Sequence, residues 1–202
     1  MKQALILIGF QNDYFSEDGI LRSVVEESSR DTKIIDNVFN LLNNIDKEMM
    51  VISTPIIFSE NYEELTDPVG ILKIIKEVGA FKAGKKGSET IDEIRHFGSR
   101  ILEIPGKRGL NAFQGTVLEK TLRDNGIVEV VIAGTVASIC IDSTGRSACE
   151  KGFKVSMLSN CISGRTIFEK DFFVEEVYPL YANVYSSETL IEERASAAAI
   201  EI

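Results

Sequence analysis

The chain has no tryptophan, one histidine, three cysteines and four prolines among its 202 residues. A single imidazole, His96, with Cys140, Cys149 and Cys161 far apart in sequence, does not supply the nitrogen and sulfur ligands of a zinc site, so no metal and no cofactor are expected. An odd number of thiols without short spacing does not make a disulfide framework and fits a reducing, cytoplasmic compartment. No apolar run approaches the roughly 20 residues needed to cross a bilayer. The N-terminal apolar run, residues 4–8, is too short for a signal-peptide core and soon meets Gln11, Asn12 and Asp13. Positive charge is scarce as well, with Lys+Arg 22 against Asp+Glu 31 and a formal net charge of −9. That balance excludes electrostatic attachment to nucleic acid or anionic membrane, leaving small molecules as the expected partners. Repeats, low-complexity tracts and Ser/Gly/Pro-rich linkers are also missing, so residues 1–202 read as one domain.

What the chain does contain is an alternation of short apolar runs with helical patterns. Residues 4–8 are continuously apolar, as a strand covered on both faces must be. Ile34, Ile35, Val38, Phe39, Leu41, Leu42 and Ile45 then recur at helical spacing. Further strands are expected over 49–54, 100–104, 128–133, 154–158 and 182–185. Helices are expected over 70–79, near 91–97, and over 116–125, 138–151 and 186–199. Such alternation implies a mainly parallel sheet with helices on both faces. In sheets of this kind ligands bind beyond the carboxyl ends of the strands, where strand order reverses. Residues 9–13, 55–60, 106–113 and 134–140 therefore hold the candidates.

Cys140 falls at the start of the helix after the 128–133 strand, where unpaired N–H groups favour thiolate over thiol. The alternative is a small apolar residue packed on the sheet, the reading given to Cys149 and Cys161. Lys107 follows the 100–104 strand; alone it is a loop lysine, but an ammonium beside a thiolate would stabilise it. Asp142 fits a helix-dipole role. Residues 79–85 (GAFKAGK) imitate a phosphate loop but lack the preceding strand and the following Ser or Thr. Glu60, Glu63 and Glu64 read as a solvated acidic loop, and Phe10, Tyr14, Phe15, Phe58 and Phe113 as candidates to wall a pocket.

Taken together, these segments resemble the isochorismatase-like cysteine hydrolases. Ile8-Gly9-Phe10-Gln11-Asn12-Asp13-Tyr14-Phe15 is similar to that family's opening motif, Ile-Asp-x-Gln-Asn-Asp-Phe. Lys107 with residues 111–116 (NAFQGT) resembles its lysine segment, and residues 134–140 (GTVASIC) with Thr144 and Ala148 its nucleophile segment. The resemblance implies a three-layer α/β/α sandwich with about six mainly parallel strands, assembling as a homodimer or homotetramer. It implies a Cys–Asp–Lys triad that hydrolyses small amides, with Cys140 as nucleophile and Lys107 as activator. It also implies an oxyanion hole from the N–H groups of Val136 and Cys140, beside a cis peptide at Thr135–Val136. The family's catalytic aspartate, however, aligns with Gly9, while Asp13 matches a usually structural position. Residues 53–58 (STPIIF) lack the Asp-x-His metal motif of nicotinamidases. True isochorismatases present the opposite case, keeping the aspartate and dispensing with the cysteine.

Two functions follow from these residues. The first is a cysteine hydrolase of a small amide, ester or ureido-type substrate with impaired or altered proton transfer. The second is an inactive family member that binds a small molecule or protein partner, with space left where the aspartate side chain would lie.

Overall fold

The computed structural model describes residues 2–200, so residues 1, 201 and 202 of the expected domain lie outside the described residues. The chain runs β1 (Gln3–Ile8), α1 (Asn12–Phe15), α2 (Arg22–Thr32), α3 (Ile34–Asn44), β2 (Met50–Thr54), α4 (Gly70–Val78) and α5 (Asp92–Arg95). It continues through β3 (Leu102–Glu103), α6 (Leu118–Asp124), β4 (Glu129–Thr135), α7 (Asp142–Glu150), β5 (Lys154–Ser163), α8 (Ile167–Phe172), β6 (Asn183–Tyr185) and α9 (Ser187–Ile200). The six strands form one sheet in the order β3-β2-β1-β4-β5-β6, every neighbouring pair parallel. This is the three-layer α/β/α architecture expected from the alternation.

The apolar character of β1 follows from the period-2 geometry of a strand with both faces covered. Ala4, Ile6 and Ile8 enter one core with Ile52, Val130 and Ile132, under Leu118, Leu122 and Ala148 of α6 and α7. Leu5 and Leu7 enter the other with Val51, Val131 and Ala133, under Ile34, Val38 and Leu41 of α3 and Leu190 of α9.

The sheet departs from the expected elements where tertiary contacts override local pattern. Only two residues of the expected 100–104 strand pair with β2, because β3 is the sheet edge. Just before it, the Arg100 guanidinium donates to Met49 O at 2.7 Å and Asp46 O at 3.0 Å. β5 runs beyond residue 158 to Ser163, since Gly134 and Thr135 pair with Ile162 and Ser163 after a register shift. The expected helix over 138–151 is divided into a π-helical turn, Ala137–Ile141, and α7. α2 and α8 were not foreseen: α2 buries only Val25 and Ser28, too thin a stripe to read in a polar sequence.

From β1 the chain builds the sheet outward through β2 and β3; it then returns to β4 beside β1 and builds the other way. The reversal point thus lies between the carboxyl ends of β1 and β4, where Ile8 pairs with Gly134. Gly134 has φ 136°, and a Cβ there would overlap the Ile8 carbonyl. Glycine is what lets the two strands close to this distance.

Candidate functional site

Lys107 and Cys140 reach the reversal point from different elements. The residues after β3 fold back so that Lys107 bridges Ile56 beyond β2, with Ile57 N–H donating to Lys107 O at 3.2 Å. The Lys107 side chain is fully buried; its Nζ donates to Cys140 Sγ at 3.2 Å and to Gly109 O at 3.0 Å. An ammonium withdrawn from water needs such partners, because an unpaired buried charge is costly.

Cys140, 4% exposed, sits in the π-helical turn that follows the cis Thr135–Val136 peptide. The turn is fixed from several sides. Ile139 and Ile141 N–H close on Val136 O at 3.1 and 3.2 Å, and the Tyr178 hydroxyl donates to Ala137 O at 2.8 Å. Buried Glu169 accepts from the Ser138 hydroxyl, from Ser138 N–H at 3.3 Å and from Arg165 Nε at 2.6 Å. Ala112 N–H donates to Thr144 Oγ1 at 3.1 Å, tying the lysine segment to α7. Nothing in the local sequence singles out Glu169 or Tyr178; their partners lie 31 and 41 residues away.

Gly9 does not leave the space expected of a deleted side chain. Its φ is 76°, and a Cβ built there would lie 2.7 Å from Thr135 O and 3.1 Å from Thr135 Cγ2. The backbone has turned into the left-handed region, and the β4 carbonyl crowds the first position of any side chain.

Gln11 and Asp13 of the opening motif take structural places. The Gln11 amide donates to Ile56 O at 2.7 Å and Ser88 O at 2.8 Å and accepts from Ile56 N–H at 2.8 Å, which clamps two loops. Asp13 accepts from Phe81 N–H at 2.6 Å, and Gly87 lies so close over its carboxylate that a Cβ would overlap it. Burial pushes the Asp13 carboxyl above its ordinary range, against the opposing pull of the Phe81 and Ile20 N–H groups.

Beside Cys140 opens a narrow recess of about 10 Å³, room for about one water molecule. Its walls are aliphatic, from Ile56, Ile71, Leu72, Ile75, Leu110 and Ile139, with Tyr14 closing one side. Burial, with Cys140 and Asp13 nearby, pushes the Tyr14 hydroxyl well above its ordinary range and keeps it neutral. The four phenylalanines expected to wall a pocket do not line this recess. Phe10 stacks on Phe15 at 5.7 Å, Phe58 packs on Tyr62 and Phe113 stacks on Phe153 at 6.1 Å. Large rings were claimed by the cores, and α4 supplies the wall instead.

The remaining candidates take structural places. Phe81 O accepts from Phe58 N–H and Ala83 N–H donates to Phe58 O, each at 2.8 Å, so the phosphate-loop look-alike spends these groups inside the protein. Asp142 accepts from Arg146 Nε at 2.8 Å and from the Tyr181 hydroxyl at 3.0 Å. Glu64, expected in a solvated loop, is mostly buried: its carboxylate caps Ser59 N–H at 3.0 Å and meets Arg108 at 3.4 Å. Burial alone would raise its carboxyl, but these hydrogen bonds and the guanidinium outweigh it and hold it low. Cys149 is exposed, whereas Cys161 is buried, its thiol pushed up to about 12 by desolvation. His96 packs against Phe39 and Phe97. Among the described residues no cluster of His, Cys, Asp and Glu could hold a metal ion, and no helix is long and apolar enough to cross a membrane.

An all-parallel six-stranded α/β/α sandwich with a buried lysine against a cysteine at its reversal point has the form of an isochorismatase-like fold. The Isochorismatase domain matches residues 3–189, and this chain belongs to the isochorismatase family. The isochorismatase family protein YecD of Escherichia coli O157:H7 is 34% identical over 85 residues, a match spanning 42% of this chain and only 45% of YecD. YddQ of Bacillus subtilis (strain 168), of the same family, is 24% identical over 90% of this chain and 89% of its own length. Nicotinamidase 3 of Arabidopsis thaliana is 26% identical over 75% of this chain and 68% of its own. Among solved structures, a cysteine hydrolase from Pseudomonas syringae pv. phaseolicola 1448A superposes with a TM-score of 0.83 at 16% identity, covering 97% of this chain and 93% of that one. N-carbamoylsarcosine amidase from Thermoplasma acidophilum does so with a TM-score of 0.71 at 23% identity, covering 93% and 98%. At these identities the structural likeness establishes the fold.

Proposed function

We propose that this chain is a cysteine hydrolase whose substrate carries its own leaving-group stability: an ester or thioester in preference to an unactivated amide. The observation that carries the reading is the 3.2 Å contact between Lys107 Nζ and Cys140 Sγ in a buried site. Cys140 sulfur attacks the substrate carbonyl carbon as a thiolate held by the Lys107 ammonium, and the oxyanion is received by the N–H groups of Val136 and Cys140. Collapse expels the leaving group as an alkoxide-type or thiolate anion, forming an S-acyl cysteine. Water then adds to that thioester, releases the carboxylic acid and returns the thiol.

No carboxylate at position 9 takes the thiol proton or passes it to a leaving amine, and Asp13 is occupied by Phe81 N–H and covered by Gly87. General acid–base help of this kind is worth about 10²–10⁴-fold, so amides suffer most from its loss. The free thiols support action in a reducing compartment.

The test is a panel of activated esters, thioesters, amides and ureido acids, with Cys140→Ala as the blank. We expect Cys140-dependent turnover of activated esters at least about 10² times faster than of matched amides. Gly9 also favours a second reading, a binding protein without turnover. Activated esters that acylate exposed Cys149 and leave Cys140 untouched would establish that reading and end the hydrolase one.

A further inference from the structure

The recess beside Cys140 carries a statement about the acyl half of the substrate, resting on the acyl-transfer reading above. Among the described residues, Cys140 and Tyr14 are the only ones lining it with a side-chain heteroatom, and none of the lining is Lys, Arg, His, Asp or Glu. A carboxylate or ammonium entering it would lose water and meet no counter-charge, whereas a hydrocarbon group would exchange water for aliphatic contact. Tyr14 does not alter this balance: kept neutral by burial, its hydroxyl can meet a carbonyl or ether oxygen but supplies no charge. Lys107 is no substitute counter-ion, because its ammonium is already engaged by Cys140 Sγ and Gly109 O.

Size points the same way. The recess is about 10 Å³, room for about one water molecule and so for a methyl- or ethyl-sized group beyond the reacting carbonyl. α4 forms the outer wall through Ile71, Leu72 and Ile75 while leaving Ile74 and Val78 of the same helix exposed. The helix therefore presents one aliphatic stripe to the site, at the i, i+1 and i+4 positions of a 3.6-residue period.

We propose that this recess is an acyl subsite for a short, uncharged, aliphatic acyl group, and that Leu72 and Ile75 of α4 are specificity-determining residues. The substrate class is then a thioester or activated ester of a very short straight-chain aliphatic acid, acetic or propionic, rather than one whose acyl group ends in a carboxylate or an amine.

Phenyl thioesters of propionic acid, of succinic acid through one carboxyl, and of β-alanine share a leaving group and differ in the charge of the acyl group. Thiophenol release by the unmodified chain, less that by Cys140→Ala, gives the rate owed to Cys140. The Cys140→Ala rate, which retains exposed Cys149, normalises each probe's intrinsic reactivity. We expect the normalised rate for propionyl to exceed both charged probes by about tenfold or more. Leu72→Arg should shrink or invert the preference over succinyl; if that variant does not fold, the unmodified chain with three probes still decides. Equal normalised rates, or a preference for a charged probe, overturn the acyl-subsite proposal and leave the hydrolase reading standing. No excess rate with any probe overturns the hydrolase reading, and the subsite with it.

Discussion

Lys107 Nζ lies 3.2 Å from Cys140 Sγ, closing a buried contact between residues 33 positions apart on two loops that meet at the reversal point of the sheet. The ammonium has no exposure to water, so its field on the sulfur is weakly screened. Replacing Lys107 with Met keeps most of the length of the side chain and removes the charge. Alkylation of Cys140 by iodoacetamide near pH 7, referenced to exposed Cys149, should slow by about tenfold or more. An unchanged Cys140/Cys149 ratio would show that the lysine does not activate the sulfur.

Gly9 gives a prediction of the opposite kind, in which restoring the family residue harms the protein. With φ at 76° and Thr135 O 2.7 Å from the Cβ position, both Gly9→Ala and Gly9→Asp strain the backbone and press on β4. Each should cost about 2 kcal/mol, a fall of roughly 4–8 °C in Tm for a chain of this size. Gly9→Asp should not raise Cys140-dependent turnover. A Gly9→Asp chain as stable as the original and more active would mean that the β1 turn readily adopts another conformation.

Asp46 fastens the loop before β2 to α9. Its carboxylate accepts from Glu48 N–H at 2.9 Å and pairs with Arg194 at 2.5 Å, and the first of these contacts leads in holding its carboxyl below the ordinary value of 3.8. A folded-state value below the unfolded one means that the stabilisation is present above the unfolded value, near pH 4, and is lost as pH falls through the folded value. The pair is partly exposed, so its worth is about 1 kcal/mol or less. Asp46→Asn should therefore lower Tm by a few degrees near neutral pH, with the gap closing as pH falls through the folded-state value. A gap that persists in acid would assign the effect to something other than this charge.

Much of the fold was legible because apolar runs and helical spacing are local properties. The residues of β1, β2, α3 and α4 fall within one or two positions of their expected bounds. The family motifs also marked Lys107 and Cys140, which the folded chain brings into contact. The walls of the recess were not legible. Phe10, Phe58 and Phe113 look as fit for a pocket as Ile71, Leu72 and Ile75, and only packing assigns the rings to the cores and the aliphatics of α4 to the site. Glu169 and Tyr178 hold the Cys140 turn from segments with no recognisable pattern.

The sequence by itself determined the strand–helix alternation, the two-faced burial of the sheet, the family, and the absence of a carboxyl group at position 9. All of these are written in residue type and short-range spacing. The tertiary structure alone decided that Gly9 adopts a left-handed backbone against Thr135 O, so that a side chain placed on that backbone meets the β4 carbonyl at its first atom. It also decided that the space beside Cys140 is aliphatic and uncharged. The physical reason is the same in both cases. Whether a side chain's volume is filled, and by what, depends on atoms brought in from distant parts of the chain, and neither composition nor periodicity carries that information.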